Sequence, residues 1–506
     1  MNERADDEIL PQTAALFLIT VISLFLRLYI PWSAGFPLND GGLFYRMILD
    51  LEGNAFSLPH TTSYNQAGLP FSYPPLGIYL GALLHHFSGV DLLLILQILP
   101  PLIAALCLLP AWGIISIVLE SSTSRIFAYA VYALSYSSFE WLIMGGGITR
   151  APGMFFALCA IYFFLRSQRG GTTSAVLSGI SAGLTCLSHP HACVFMLISL
   201  GALFLFRQPR PQVKVCITIA IPALLLSSLW IVSLAQRGLM TGIWEAARTG
   251  KLDSDSIYRI IDPLLFGIGE LPFFVNVLLF LGVAHALAQK RWIFVAWFAC
   301  VYLIPRLSSN YMMLPVSLLT GIGAASLVGA LLSNSHADSK VNCCGIPIRK
   351  LIWACFIGAL TATSFSKTAH LLTTTLSPTT VKEFELLATQ TPPQSAFLVI
   401  TSGQVHHHHI TEWFPAFSQR HSILTPEGKE WKNAAEFKQI NKTHNELYEL
   451  IENPQQQMSV DLQQAFDQAN YLVVDAESSS LPLGKEWQSL KQFEGLTIYA
   501  RNLQGM

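Results

Sequence analysis

The stretch GFPLNDGGLFY, residues 35–45, follows the first long apolar segment and contains a single charged residue, Asp40. The Asn-Asp-Gly-Gly run within it is typical of a turn, after which Asp40 can cap a helix that begins near Leu43. The two glycines also let a ligand approach the backbone closely, so the same carboxylate suits a general base. Local sequence leaves both interpretations open.

The composition predicts a membrane protein with a more polar C-terminal part. Of the 506 residues, 52% are hydrophobic and 12% are charged, whereas soluble domains carry about 25% charged residues. Residues 371–506 hold 9 Lys and Arg and 15 Asp and Glu, and the preceding 370 residues hold the other 37 charges. We therefore expect an α-helical transmembrane domain over residues 1–370 and a small soluble α/β domain over residues 371–506. The net charge of −1 gives no reason to expect nucleic-acid binding.

Long apolar runs predict about eleven transmembrane helices, because each run can cross about 30 Å of hydrocarbon. They lie near residues 13–31, 92–118, 126–143, 153–165, 173–188, 192–206, 213–235, 264–288, 292–305, 311–332 and 351–369. Basic residues cluster in alternate short loops, such as RSQRGG at 166–171 and QKR at 289–291. By the positive-inside rule the N-terminus is then cytoplasmic, and residues 32–91 and 371–506 both lie outside the plasma (inner) membrane.

The outer loop 32–91 contains two candidate interfacial helices. FSYPPLGIYLGALLHHF, residues 71–87, places Pro74 and Pro75 at a helix start and is short for a membrane span. YRMILDLEG, residues 45–53, is a second short amphipathic candidate.

The C-terminal part alternates strand and helix patterns. AFLVI at 396–400, YLVVDA at 471–476 and GLTIYAR at 495–501 predict strands, and the segment 433–453 predicts a helix. EWFPAFSQR, residues 412–420, is either a core segment or an outer face that docks onto the membrane part.

Arg150, in MGGGITRAPG, lies at the outer end of a predicted span. A cation there is costly unless it is paired or reaches the lipid headgroups. The alternative is a clamp on a phosphate, helped by the backbone N–H groups of the preceding glycines.

Four further residues lie at outer span ends. His189 and His191, in LSHPHAC, could donate to a phosphate or a sugar hydroxyl or form a plain interfacial turn, and two histidines are not a metal site. Arg306 and Tyr311, in PRLSSNY, could bind the same groups or serve as interfacial anchors. The run His406–His409 favours adventitious metal binding over catalysis.

These features together resemble the GT-C superfamily of integral-membrane glycosyltransferases, within the branch of protein mannosyltransferases, aminoarabinose transferases and bacterial members of unassigned substrate. The matching pieces are NDGGLFY, YPPLGIYLGALL and GGGITRAPGMFFALCAIYFFLR, with EWFPAFSQR matching more weakly. Relatives take a sugar from a polyprenyl-phosphate carrier and transfer it on the outer membrane face, usually with inversion.

The resemblance implies roles for several residues. Asp40 matches the outer-loop catalytic acid that activates the acceptor, and many relatives have an adjacent Asp-Glu pair where this chain has Asp40 and Gly41. Asn39, Tyr73, Pro74 and Pro75 match residues that shape the pocket. Arg150 matches a basic residue at the outer end of the third span, and the donor phosphate or sugar is expected to contact Arg150, His189, His191, Arg306 and Tyr311.

The expected partners are a polyprenyl-phosphate sugar donor, membrane lipids, and a lipid, glycan or protein acceptor. No cofactor follows from the sequence, although a divalent metal could take part. The chain lacks the motifs of nucleotide hydrolases and α/β-hydrolases. A transporter or lipid flippase, or a non-catalytic membrane scaffold, is the alternative function.

Overall fold

The computed structural model describes residues 3–206, 212–249, 271–303, 309–333, 342–343, 346–402, 409–475, 478 and 483–502. The described chain is mostly helical up to residue 370 and combines helices with a sheet after it. The helices of the first part are α1 Glu3–Leu24, α2 Ile30–Ser33, α3 Gly42–Gly53, α4 Leu76–Ser88, α5 Leu92–Leu106, α6 Leu108–Val118, α7 Ser122–Leu134, α8 Glu140–Ile143, α9 Gly147–Ser167, α10 Thr172–Ser188, α11 Pro190–Phe206, α12 Val213–Gln236, α13 Met240–Arg248, α14 Phe273–Ala288, α15 Trp292–Tyr302, α16 Ser309–Ser333 and α17 Ile348–His370.

Several helices of the first part are long and apolar enough to cross a membrane. Within the described residues these are Gln12–Ser33, Leu92–Val118, Gly147–Ser167, Val213–Gln236 and Ser309–Ala330. Three shorter apolar helices, α11, α14 and α15, coincide with further predicted spans. The total of eleven spans stays a prediction.

The predicted span 126–143 is wrong as a single helix. Helix α7 ends at Leu134, Ser135 is extended with ψ 127°, and a 3₁₀ turn, Tyr136–Ser138, separates α7 from α8. The hydroxyl of Ser138 donates to the carbonyl of Ser135 at 2.8 Å. Serine side chains that bond nearby backbone groups in this way compete with helix continuation.

The two helices predicted in the outer loop are confirmed as α3 and α4. Pro75 is the N-cap of α4, so the Pro-Pro pair does lead that helix. Two short strands, β1 Thr61–Thr62 and β2 Leu69–Pro70, pair antiparallel between α3 and α4. A second short antiparallel pair, β3 Asn342–Cys343 and β4 Ile346–Pro347, precedes α17.

The C-terminal part contains a five-stranded mixed sheet, in the order β6-β5-β7-β9-β8. Its elements are α18 Pro378–Gln390, β5 Ala396–Ile400, α19 His409–Ser418, β6 His421–Ser422, α20 Ala434–Glu452, α21 Val460–Gln468, β7 Tyr471–Asp475, β8 Trp487–Phe493 and β9 Leu496–Arg501. Strand β5 is parallel to β6 and β7, and β9 is antiparallel to β7 and β8. The three predicted strands and the predicted helix 433–453 correspond to β5, β7, β9 and α20.

The two faces of this sheet contact different surroundings, because side chains alternate along each strand. Phe397 and Val399 of β5 join one apolar cluster with α18, α19 and the outer-loop helices α3 and α4. Leu398 and Ile400 join a second cluster with α20 and α21. The outer loop and the C-terminal part therefore share one core, and this shared core surrounds Asp40.

Candidate functional site

Asp40 lies between two residues with positive φ angles, Asn39 and Gly41. Asn39 has a φ of 51° and Gly41 a φ of 131°. Asparagine tolerates the left-handed region and glycine adopts it freely. Asp40 lies between them with 8% of its surface exposed, and α3 starts directly after Gly41.

The Asp40 carboxylate contacts the N-terminal end of α9 through both oxygens. Oδ1 accepts a hydrogen bond from the backbone N–H of Gly146 at 2.8 Å, and Oδ2 pairs with Nη2 of Arg150 at 2.5 Å. A helix N-terminus and a guanidinium both favour the ionised carboxylate. The two side chains keep 12% and 21% exposure, respectively, so solvent still reaches the pair.

The glycines before Arg150 allow the Asp40 loop to approach α9. A Cβ on Gly145 would lie 2.0 Å from the carbonyl oxygen of Asp40, and a Cβ on Gly146 would lie 2.6 Å from Oδ2. The N–H of Gly145 also donates to the carbonyl of Leu38 at 2.9 Å. The GGG run is thus needed for close packing of two backbones, and it supplies the N–H group that holds Asp40.

Arg150 has one guanidinium nitrogen on Asp40 and one without a hydrogen bond. The group stacks over the ring of Trp141, 5.1 Å from its centroid. Nη1 is buried and has no hydrogen-bond partner within the part of the chain that the structure describes. A buried cationic donor without a partner is costly, and an anion beside it would remove that cost.

Tyr73 lies close enough to Arg150 and Asp40 to interact electrostatically with both. Its ring packs against Phe44, 4.9 Å away, and Trp431, 5.3 Å away, and lies 6.1 Å from His189. Burial raises the pKa of Tyr73 to about 12, so its hydroxyl stays a hydrogen-bond donor near neutral pH. Pro74 and Pro75 are buried behind it and direct the chain into α4.

His189 and Tyr311 are joined by a direct hydrogen bond between helices. Nδ1 of His189 lies 3.0 Å from the hydroxyl of Tyr311, and both residues are buried. His189 lies in the break between α10 and α11, and Arg150 interacts electrostatically with both residues. The structure therefore brings these two predicted residues into the surroundings of Arg150.

The three remaining residues of the predicted site are His191, Asn39 and Arg306. His191 is exposed, with its ring 5.5 Å from that of His189. The side-chain nitrogen of Asn39 donates to Sδ of Met144 at 3.5 Å, so Asn39 is part of the loop's packing. Arg306 lies outside the described residues.

Structure comparison relates the whole chain to solved glycosyltransferases. The oligosaccharyltransferase AglB from Archaeoglobus fulgidus, in complex with an inhibitory peptide and a dolichol-phosphate, matches with a TM-score of 0.56 and 15% identity over 98% of this chain and 74% of that one. ArnT from Cupriavidus metallidurans in the apo state gives 0.50 and 13%, covering 98% of each chain. The arabinofuranosyltransferase AftD from mycobacteria gives 0.53 and 14%, covering 96% of this chain and 41% of that one. Comparison of the sequence with protein-family models and with curated proteins gives no match.

The chain has the GT-C fold. Apolar helices arranged in this fold support a multi-pass membrane protein, as the sequence predicts. The predicted resemblance to GT-C glycosyltransferases is confirmed at the level of the fold.

One residue beside Asp40 was not among the predicted site residues, namely Glu412 on α19. Its Oε1 accepts hydrogen bonds from the backbone N–H groups of Gly41 at 2.9 Å and Leu43 at 3.5 Å. Burial, reinforced by the negative charge of Asp40, raises the pKa of Glu412 to about 8. The only sequence signal was the EWFPAFSQR segment, which lies in the core and also contacts the outer loop.

Further carboxyl groups lie behind Glu412. Burial, together with the charge of Glu412, raises the pKa of Glu427 well above its ordinary value. Even so, across the described ranges no three or more His, Cys, Asp or Glu side chains are grouped so that they could hold a metal ion. Both oxygens of Asp40 are already engaged by Gly146 and Arg150.

Proposed function

We propose that this protein is a membrane glycosyltransferase that moves a sugar from a polyprenyl-phosphate-linked donor to an acceptor, with inversion at the anomeric carbon, at the Asp40–Arg150 pair. The observation that carries the proposal is this pair itself. A carboxylate suited to deprotonate an acceptor lies beside a guanidinium that still has one unsatisfied, buried donor nitrogen. The dolichol-phosphate in the AglB structure supports a lipid phosphate as the leaving group.

Asp40 is the general base of the proposed reaction. The acceptor hydroxyl attacks the anomeric carbon, its proton passes to Asp40, and the bond from that carbon to the phosphate oxygen breaks. The polyprenyl phosphate leaves with the bonding electron pair. An inverting displacement requires a base on the face of the sugar opposite the leaving group, and Asp40 takes that role once it is free of Arg150.

Arg150 neutralises the phosphate as the negative charge develops. Stabilisation of this kind is effective in a partly buried site, because the donor group is already oriented and the local dielectric is low. Tyr73, protonated at neutral pH, and the His189–Tyr311 pair supply further hydrogen bonds on the same side. His191 and Arg306 remain proposed donor contacts.

The Asp40–Arg150 ion pair has a consequence for the order of events. While Arg150 is bonded to Asp40, the base and the cation that would bind the phosphate lie side by side. An in-line displacement therefore requires the donor phosphate to draw Arg150 away from Asp40. Donor binding then frees the carboxylate for the acceptor.

The proposed topology places this site at the outer face of the inner membrane. Residues 1–370 form the membrane domain with a cytoplasmic N-terminus, and residues 371–506 form an extracytoplasmic domain over the outer loop. Reporter fusions after residue 333 and at the C-terminus test this arrangement, since the first should be active in the cytoplasm and the second outside it. Assays with panels of donors and acceptors determine the acceptor class and whether the sugar is a hexose or a pentose.

The decisive experiment uses the purified full-length protein in lipid vesicles with a panel of polyprenyl-phosphate hexoses and pentoses. Release of free polyprenyl phosphate is compared between the wild type, Asp40→Asn and a matched control, Asp50→Asn. Asp50 lies in the same outer loop, but its carboxylate accepts hydrogen bonds from the Thr62 hydroxyl, the Ser63 N–H and the Ser63 hydroxyl. An asparagine oxygen can still accept the first two of these bonds.

Turnover that Asp40→Asn abolishes and Asp50→Asn retains is the expected result. Turnover that survives Asp40→Asn would show that another residue is the base. A wild type that neither turns over nor binds any donor, with lipid, glycan and peptide acceptors each supplied, would refute the transferase and favour a transporter or a scaffold.

A further inference from the structure

We propose that Glu412 is a positioning residue that holds the Asp40 loop in its reactive conformation. The proposal rests on the proposed role of Asp40 as the base. It makes the C-terminal part of the chain a component of the site, although Glu412 is 371 residues away from Gly41 in sequence.

Glu412 bonds backbone N–H groups at the start of α3. Gly41 and Leu43 stand at the N-terminus of α3, where N–H groups have no partner inside their own helix. The helix has no side-chain cap from its own N-cap residue, Gly41. Glu412 supplies that cap from α19, and the N–H of Gly41 belongs to the residue directly after Asp40.

Helix α19 also packs closely against the Asp40 loop. A Cβ on Gly42 would lie 2.6 Å from the carbonyl oxygen of Glu412, so the two backbones are in contact. The indole N–H of Trp413 donates to the carbonyl of Asn39 at 2.9 Å. The residues on both sides of Asp40 are therefore each bonded to a residue of α19.

Glu412 is itself held in place by its neighbours. The hydroxyl of Tyr64 donates to its carbonyl oxygen at 2.7 Å, and its side chain is buried with 8% exposure. Trp413 next to it is fully buried, and its ring lies 4.9 Å from that of Phe36. A rigid support of this kind can keep a catalytic side chain within about 0.5 Å of its working position.

The charged and titratable groups that face Glu412 come from four parts of the chain. They are Asp40 in the outer loop, Arg150 on α9, Tyr64 before β2, and Glu427 after β6. Asp40 and Glu427 repel an ionised Glu412, and Arg150 attracts it. The proposed role of Glu412 depends on hydrogen bonding and not on charge. Glutamine, which keeps an acceptor oxygen, should therefore preserve that role, whereas alanine should abolish it.

The test compares Glu412→Ala, Glu412→Gln and the control Glu383→Ala in the full-length protein. Glu383 is an acidic residue of the same C-terminal part that pairs with Lys491, away from the site. The first measurement is hydrogen–deuterium exchange in the peptide 36–47, which contains the N–H groups of Gly41 and Leu43. The second is donor turnover, with kcat and KM determined separately.

We expect faster exchange in peptide 36–47 for Glu412→Ala and for no other variant, since one buried hydrogen-bond acceptor is lost. The same variant should have a kcat lowered about tenfold and a donor KM that is little changed. Glu412→Gln should restore both. Unchanged exchange or unchanged kcat in Glu412→Ala would overturn the proposal, as would exchange that rises equally throughout the chain. If the wild type turns over no donor, the proposed function fails, and the exchange result still decides the role of Glu412.

Discussion

Replacement of Gly146 by alanine perturbs the Asp40 carboxylate with a single methyl group. Gly146 has a φ of −66° and a ψ of −8°, which any residue adopts, so alanine strains no backbone angle. The added Cβ would lie 2.6 Å from Oδ2 of Asp40 and 2.9 Å from Cγ. These are the atoms at the end of a side chain, and they are the part of the structure that will move.

The size of the effect follows from the contacts that the moving carboxylate loses. A displacement of several tenths of an ångström breaks or weakens the 2.8 Å bond from the Gly146 N–H and alters the pairing with Arg150. A hydrogen bond to a charged group contributes about 1.5–3 kcal/mol, which corresponds to roughly a 10- to 150-fold decrease in turnover.

The assay is the release of polyprenyl phosphate, with the thermal unfolding midpoint measured on the same preparations. Gly201→Ala is the matched control, because a Cβ at Gly201 in α11 meets no atom within 4 Å. This control should keep full turnover, and its helix should gain about 0.5–1 kcal/mol in stability. Wild-type turnover in Gly146→Ala would refute the reasoning, and so would a fall in turnover matched by a fall in the unfolding midpoint.

Three other predictions concern separate features of the structure. Arg150→Lys keeps the charge but loses the planar fork, so the donor KM should rise at least about tenfold in turnover assays. Burial raises the pKa of Glu412 from its ordinary value of 4.5 to about 8. The stability that its protonated form contributes is therefore fully present below about pH 4.5 and is lost progressively as the pH rises to about 8, so the unfolding midpoint should fall across that range, and less so in Glu412→Gln. The Sγ atoms of Cys186 and Cys193 lie 2.8 Å apart, so an added thiol oxidant should join them, and mass spectrometry should find their shared peptide lighter by two hydrogens.

The chemistry of single residues was predictable from the sequence, whereas their contacts were not. A lone carboxylate at a membrane face and a cation after three glycines each suggest a role on local grounds. Their direct pairing joins residues 110 positions apart, and it depends on how the outer loop packs on α9. Helix and strand periodicity carries no information about that packing.

Glu412 also shows that the sequence does not reveal long-range contacts. Its segment is aromatic and apolar, which indicates burial, but nothing in it indicates which surface it will cover. The break at Ser135 was missed for a local reason. The hydrophobic pattern continues through residues 126–143, but the Ser138 hydroxyl bonds the nearby backbone at Ser135. A hydropathy pattern detects where apolar residues are and does not detect a break whose cause is a hydrogen bond.

The contact of α19 with the Asp40 loop also bears on the biosynthesis of the protein. Ribosomes make Asp40 early and Glu412 late, so a nascent chain inserts its membrane helices long before the loop receives its support from α19. An incomplete or proteolytically shortened chain would then carry the proposed base without the groups that orient it. If the proposed function holds, such a chain should not consume the lipid-linked donor, and only the full-length protein should do so.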